Sequence, residues 1–147
     1  MVAKNEGPYV QAAAFCEKVL EENDGALSLI RMVDTVTHTT KRADAPEEMP
    51  NIQISTNAVI SLKSGGESGD FTARMELISP SGEKIETLSN DFKLKGAGHG
   101  RNIVVNLSFE AKEEGVYFFD VFVGENLVTR MPLRIRYEKV TEPSQNS

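Results

Sequence analysis

Residues 115–137 constrain the fold of this chain more than any other segment. They read GVYFFDVFVGENLVTRMPLRIRY, two arms rich in aromatic and β-branched residues on either side of Gly124-Glu125-Asn126. In both arms apolar residues recur at every second position, which is typical of β-strands. Two such arms joined by a short turn predict a β-hairpin.

The alternation also selects the register of this hairpin. A slip of one residue would place Val121 opposite Arg130 and Asp120 opposite Met131, so the two arms would direct their apolar residues to different faces. The predicted pairs are Val123–Leu127, Val121–Thr129, Phe119–Met131 and Tyr117–Leu133 on the apolar face, and Phe122–Val128, Asp120–Arg130 and Phe118–Pro132 on the other.

Strand-like runs recur along the rest of the chain. Further strands are predicted over residues 27–39, 52–62, 71–77, 85–88 and 103–109, with a bulge between Leu29 and Ile30 and an irregular segment over 89–100. Strands and helices do not alternate along the sequence, which argues against a parallel sheet. We therefore expect an all-β domain over residues 1–147, an antiparallel β-sandwich of about eight strands, immunoglobulin-like or jelly-roll-like, with a loose lead-in over 1–8 and a flexible tail over 138–147.

Residues 9–20 are consistent with two structures. Their Ala, Glu, Lys and Leu content favours a helix by intrinsic propensity. No clear N-cap precedes them, however, and the Asp24-Gly25 pair that follows is a strong hairpin signal. A long hairpin with the strand at 27–39 is favoured, and a helix followed by a strand is the alternative.

Tyr117 also has two interpretations. It stands just inside a strand, after the acidic turn Glu113-Glu114-Gly115. This placement is typical of the tyrosine corner of immunoglobulin-like sandwiches, whose hydroxyl bonds to upstream backbone. The alternative is a plain aromatic residue of the core.

Charge and composition exclude several classes of protein. Lys and Arg number 16 against 22 Asp and Glu, a net charge of −6, which argues against nucleic acid or an anionic membrane as the main partner. No apolar run approaches the roughly 20 residues needed to cross a bilayer, and no secretory leader is recognisable at the start. The single cysteine, Cys16, cannot form an internal disulfide. We expect a cytoplasmic protein.

The sequence does not support catalysis or metal binding. A zinc site needs about three side-chain ligands, and His38 and His99 are far apart with no second cysteine to join them. Cys16 lies among small apolar residues, which favours a packed thiol over a nucleophile. No Gly-x-Ser-x-Gly motif is present. We predict no catalytic residue, no metal and no cofactor.

Gly96-Ala97-Gly98-His99-Gly100 is the one stretch that suggests a ligand. Glycine-rich backbone can form an anion-binding concavity, and His99 would add a switchable charge. A small-anion or ligand-binding protein, or an enzyme, centred on this loop is the alternative function. A flexible loop before the next strand explains the same residues.

The outer face of the central hairpin suggests protein binding. Phe118 and Phe122 fall on the face away from the core, where a solvated sheet should be polar. Arg130, Arg134 and Arg136 of the second arm share that face, and Phe and Arg are enriched in protein interfaces. We expect a non-enzymatic module that binds a protein partner or associates with itself. The alternative is that the opening hairpin, or residues 89–100, covers the phenylalanines.

Three motifs occur in order along nearly the whole chain. They are Ala14-Phe15-Cys16 followed by Asp24-Gly25-Ala26-Leu27-Ser28-Leu29-Ile30, then Leu77-Ile78-Ser79-Pro80-Ser81-Gly82, and finally Glu114-Gly115-Val116-Tyr117 with Leu127 and Pro132-Leu133. In this order they resemble a bacterial family of small proteins of unknown function with an expected β-sandwich fold. The resemblance implies a strand over residues 9–20 and no catalytic residues. Glu17 departs from the pattern, where an aspartate is expected.

Overall fold

The computed structural model describes residues 7–66, 68–96 and 99–140, and within these ranges the chain forms strands and no helix. Most of the lead-in and of the tail, and the centre of the glycine-rich loop, lie outside the described residues. The nine strands are β1 (Tyr9–Glu21), β2 (Leu27–Val33), β3 (Thr35–Thr40), β4 (Ile52–Lys63), β5 (Gly69–Ile78), β6 (Lys84–Leu94), β7 (Gly100–Ala111), β8 (Gly115–Val123) and β9 (Asn126–Lys139).

The strands form two sheets, and the prediction of an all-β sandwich is confirmed. Sheet 1 has the order β2-β1-β4-β7, and sheet 2 has the order β3-β9-β8-β5-β6. The parallel pair β3–β9 departs from the antiparallel prediction. It arises because the chain crosses from sheet 1 to sheet 2 at Asp34, whose carbonyl oxygen accepts a hydrogen bond from the Arg134 N–H at 2.9 Å.

The core lies between the inner faces of the two sheets. Phe119 is at its centre, with its ring 5.0 Å from Phe15 and 5.7 Å from Phe109, both on sheet 1. From Ile103 to Ala111, residues of β7 alternate between more and less buried positions, as a period-2 strand with one covered face should. β8 follows the same alternation except at Asp120, which is buried although it is on the outer face.

The central hairpin has the predicted register from Tyr117–Leu133 through Val121–Thr129. The prediction is wrong nearer the turn, because a bulge shifts the register and pairs Phe122 with Leu127. The extra residue, Val128, packs against the core instead of facing outward. The turn is correspondingly shorter, with only Gly124 and Glu125 between the strands.

The opening hairpin is confirmed, because β1 and β2 pair antiparallel. The predicted single strand over 27–39 is wrong, since it divides at Asp34 into strands of different sheets. The predicted bulge is wrong too, because the register passes Leu29 and Ile30 without a shift. The backbone irregularity falls at Arg31, which has a left-handed φ of 57°.

The irregular segment predicted over 89–100 is also wrong for its first half. β6 continues to Leu94 and pairs with β5 along its length. Phe92 and Leu94 are buried, as expected. Because the residues between Leu88 and Phe92 are polar, the sequence shows no clear alternation there. Pairing with β5 nevertheless stabilises this segment as a strand.

Tyr117 forms the predicted corner. Its ring is buried, and its hydroxyl donates a 2.7 Å hydrogen bond to the carbonyl oxygen of Glu113. In strand order, β1-β4-β7 and β5-β8-β9 correspond to the A-B-E and C-F-G strands of an immunoglobulin-like sandwich, and Tyr117 lies near the start of the strand equivalent to F. The architecture is therefore the immunoglobulin-like one of the two expected.

Candidate interaction surface

Phe118 and Phe122 project from β8 on the outer face of sheet 2, and both side chains are partly exposed. Neither belongs to the buried core. β1 and β2 lie in sheet 1, while residues 89–94 continue β6 in the plane of sheet 2. The alternative was that the opening hairpin or residues 89–100 would cover the phenylalanines. In the part of the chain that the structure describes, neither segment lies over them.

Two arginines of neighbouring strands shield the phenylalanine rings. The guanidinium carbon of Arg130 lies 4.7 Å from the ring centre of Phe118, and that of Arg74 lies 4.4 Å from the ring centre of Phe122. Such cation–π stacking keeps one face of each ring in contact while the cation stays hydrated. The rings are thus held in place without being buried.

The Asp120–Arg130 pair lies between the two phenylalanines, as predicted. The Arg130 Nε and Nη2 donate to the two carboxylate oxygens at 2.6 and 2.9 Å, and the Asp120 side chain is only 6% exposed. The hydrogen bonds to Asp120, and then its charge, raise the pKa of Arg130. Arg130 is therefore neutralised within the chain and fixed in orientation.

Arg74 is held by a looser contact on β5. Its Nε lies 3.3 Å from Glu76 Oε1, within ion-pair distance, but the geometry is not that of a hydrogen bond and the atom is buried without one. Glu76 also accepts a hydrogen bond from Lys84 at 3.1 Å. Glu76 is thus shared between Arg74 and Lys84, which leaves one net positive charge in this group beside Phe122.

Arg134 and Arg136 have a different environment at the other end of the face. They are exposed and alternate along β9 with the buried Leu133 and Ile135. No other described side chain forms an ion pair or a hydrogen bond with either guanidinium. These two cations are available to a binding partner.

Exposed aliphatic residues extend the apolar area beyond the phenylalanines. Val116, paired with Arg134, is 37% exposed, and Leu127, paired with Phe122, is 53% exposed. The period of two that directs Phe118 outward also directs Val116 outward, whereas Leu127 was predicted to face the core, because the bulge that turns it outward was not foreseen. It also missed Arg74, whose polar position on β5 was visible but whose place beside β8 was not. We call the surface formed by Val116, Phe118, Phe122, Leu127, Arg130, Arg134 and Arg136 the β8–β9 face.

The glycine-rich loop gives less support to a ligand site. The His99 side chain is exposed. The backbone N–H of His99 donates to the Gly96 carbonyl oxygen at 3.0 Å, and the backbone carbonyl oxygen of His99 accepts from the Ser64 N–H at 2.9 Å. The His99 amide is thus already bonded within the chain. Ala97 and Gly98 lie outside the described residues. No group of three His, Cys, Asp or Glu among the described residues is arranged to hold a metal ion.

Cys16 and His38 are separate from this loop and from each other. The Cys16 side chain is fully buried, and burial raises the pKa of its thiol, which opposes formation of a nucleophilic thiolate. The His38 ring stacks on Tyr137, with 6.1 Å between ring centres. Neither residue belongs to a recognisable catalytic arrangement.

The fold and the surface together define an immunoglobulin-like sandwich with a mixed apolar and cationic outer face. The chain belongs to a family of unknown function, DUF6941, whose model matches residues 11–136. This confirms the expected membership of an uncharacterised family, while a bacterial origin stays a prediction. No curated protein matches the chain.

Two solved structures are similar in fold. An immunoglobulin-like protein from Pseudomonas aeruginosa has 14% identity and a TM-score of 0.43, with 91% of this chain and 100% of that chain covered. An alkylpurine DNA glycosylase from Pseudomonas fluorescens, solved with DNA containing an abasic site analogue, has 12% identity and a TM-score of 0.43, with 84% and 30% covered. At these values neither similarity bears on function.

No described helix is long and apolar enough to span a membrane.

Proposed function

We propose that this protein is a non-enzymatic interaction module that binds another protein through the β8–β9 face. The observation that carries the proposal is the pair of partly exposed phenylalanines, Phe118 and Phe122, on the same face as the unpaired Arg134 and Arg136. Aromatic residues and arginine are enriched at the energetic centres of protein interfaces. Because stacked arginines already hold both rings, little side-chain entropy would be lost on binding.

The charge of the face favours a partner of a different kind over a second copy. A symmetric contact through this face would place the unpaired Arg134 and Arg136 of both copies in one interface, and an excess of like charge in an interface opposes association. Asp120 offsets Arg130, while Glu76 is shared between Arg74 and Lys84, so these residues add no negative charge to the face. We therefore infer a partner that presents acidic side chains next to an apolar patch.

Affinity capture from the native cell tests the proposal. The Phe118→Ser/Phe122→Ser variant should lose the partner that the wild type captures, and Arg134→Glu/Arg136→Glu should weaken it in a salt-dependent way. A matched control, Lys18→Glu/Lys63→Glu, makes the same change in charge on sheet 1 and should capture the partner normally.

Thermal melts of the same variants decide whether the face is open. Truncating a buried phenylalanine costs roughly 3–5 kcal/mol, whereas partly exposed rings should cost clearly less. A double serine variant that melts far below the wild type would mean that the rings are covered within the chain. A variant that melts normally and still captures the same partner would also contradict the proposal.

A further inference from the structure

The two sheets are joined only by side chains along one side of the sandwich. β6 is the last strand of sheet 2 and β7 is the last strand of sheet 1, so no ladder of backbone hydrogen bonds connects them. On the opposite side the chain itself passes from one sheet to the other at Asp34. The core is therefore closed between β6 and β7 by side-chain packing alone.

Two cavities lie along this side, with volumes of about 270 Å³ and 120 Å³. The larger cavity reaches Ile60 and Val121, and the smaller one reaches Phe109 and Phe119. All four of these core side chains are at most 4% exposed. Cavities with walls of this kind do not hold water well and accept apolar molecules instead.

Met75 and Leu88 stand where the two cavities meet. Both residues line both cavities, and they are directly opposite each other in the register of β5 and β6. Leu88 is half-buried, and the unbranched side chain of Met75 adapts easily to a changed space. A change of rotamer at Met75 would join the cavities into one slot, whose volume would be within the roughly 300–1,000 Å³ of typical ligand pockets.

The rim of this slot on β6 is polar. Glu86 pairs with the buried Leu77 of β5 and lines the smaller cavity. Asn90 pairs with the buried Ala73 and lines the larger cavity. Paired residues of neighbouring strands share a face, so both of these exposed side chains lie at the inner rim of β6, on either side of Leu88.

The charge at the rim identifies the kind of ligand that fits. No other described side chain forms an ion pair or a hydrogen bond with Glu86. Of the described residues that line the cavities, Arg74 is the other charged one, but its guanidinium stacks on Phe122 at the outer face of sheet 2. The slot therefore combines apolar walls with an unpaired carboxylate at its rim, which favours a cationic head group and opposes an anionic one.

We propose that the slot between β6 and β7 binds a single-chain aliphatic amine. The hydrocarbon chain lies between the sheets against Met75 and Leu88, and the ammonium group stays hydrated at the rim beside Glu86. Burial of the chain supplies most of the affinity, while Glu86 selects the charge of the head group. The slot is on the inner side of sheet 2, so it is separate from the β8–β9 face and goes beyond the function proposed for that face.

Titration with octylamine, octanol and octanoate tests the proposal, because these probes share a chain length and differ in charge. NMR of methionine methyl groups should show a saturable shift of Met75 and none of Met32, which is exposed on β2 at the other edge of sheet 1. Octanoate should bind about fivefold more weakly than octylamine at low salt. From hexylamine to octylamine, the affinity should rise about fourfold for each added methylene group.

A pair of neutral substitutions assigns the charge selection to one carboxylate. Glu86→Gln should weaken octylamine about two- to fivefold and leave octanol unchanged. Glu110→Gln removes the same charge on the outer face of sheet 1, where Glu110 pairs with the exposed Gln53, and should leave the affinity for both probes unchanged.

A second pair of substitutions locates the chain of the ligand. Leu88→Trp should fill the slot and abolish binding, while Thr87→Trp, on the outer face of the same strand, should bind normally. Val105→Phe blocks the slot from β7, where Val105 is half-buried, and thermal melts without ligand show which variants are folded.

Three results would overturn the proposal. The first is that none of the three eight-carbon probes shifts Met75 up to about 10 mM. The second is binding that a folded Leu88→Trp or Val105→Phe leaves unchanged. The third is a preference for octylamine over octanoate that is absent, or that Glu110→Gln reduces as much as Glu86→Gln does.

Discussion

The hydroxyl of Tyr117 links the turn before β8 to the core. It donates to the Glu113 carbonyl oxygen at 2.7 Å, while its ring packs 5.5 Å from Phe109. Removing the hydroxyl leaves the ring in place and the carbonyl without this donor. The hydrogen bond can therefore be measured separately from the packing.

We expect Tyr117→Phe to lower the free energy of unfolding by about 0.5–1.5 kcal/mol, the usual net contribution of one hydrogen bond. Urea denaturation near neutral pH measures it, with Tyr9→Phe as the control, since Tyr9 is exposed. An unchanged denaturation midpoint in Tyr117→Phe would mean that the corner contributes nothing to stability.

The difference in the free energy of unfolding between the wild type and Tyr117→Phe should depend on pH. Burial raises the pKa of Tyr117, more than its bond to the Glu113 backbone lowers it. The unfolded chain therefore loses the phenol proton first, at about pH 10. Stability contributed by the protonated hydroxyl is complete below that pH and is lost as pH rises through the folded pKa. The advantage of the wild type over Tyr117→Phe should shrink above about pH 10.

At the scale of elements, β8 has a glycine with a positive φ at each end, Gly115 as its first residue and Gly124 directly after its last. Gly124, in the hairpin turn, has a φ of 61° and open space where a Cβ would stand. Gly115, at the start of the strand, has a φ of 134°, and a Cβ there would lie 2.8 Å from Pro80 side-chain atoms. Of these two glycines, Gly115 alone combines a positive φ with crowding.

Alanine substitutions should separate these two effects. Gly124→Ala should cost about 1–2 kcal/mol, the penalty for a left-handed backbone with a side chain. Gly115→Ala should cost more, because the Pro80 ring must also move. Denaturant midpoints measure both, and Gly124→Asn, which tolerates this backbone, should cost less than Gly124→Ala. Equal losses at the two positions would rule out the contribution of crowding.

At the scale of the whole molecule, the β8–β9 face and the outer face of sheet 1 belong to different sheets. Substitutions at well-separated sites usually contribute independently, within about 0.3–0.5 kcal/mol. Adding Lys18→Glu/Lys63→Glu to Arg134→Glu/Arg136→Glu should therefore weaken partner capture little further than Arg134→Glu/Arg136→Glu does alone. A much larger loss in the combined variant, measured by affinity capture at the same salt concentration, would show that the two sheets are coupled.

The local alternation of residues determined much of the central hairpin. Successive side chains of a strand point to opposite faces, so Tyr117, Phe119 and Val121 share one face while Phe118 and Asp120 share the other. The two faces and the Asp120–Arg130 pair therefore followed from spacing alone. The same reasoning predicted the sandwich and the outward phenylalanines. These features depend on neighbours within a strand or across one short turn.

Only the tertiary structure decided which strands lie side by side. The stacking of Arg74 on Phe122 requires β5 to pair with β8, and the crossing at Asp34 requires β3 to join β9. The inward turn of Val128 depends on space in a core that both sheets build. These outcomes rest on contacts between residues far apart in the chain, whose free energy local periodicity does not encode.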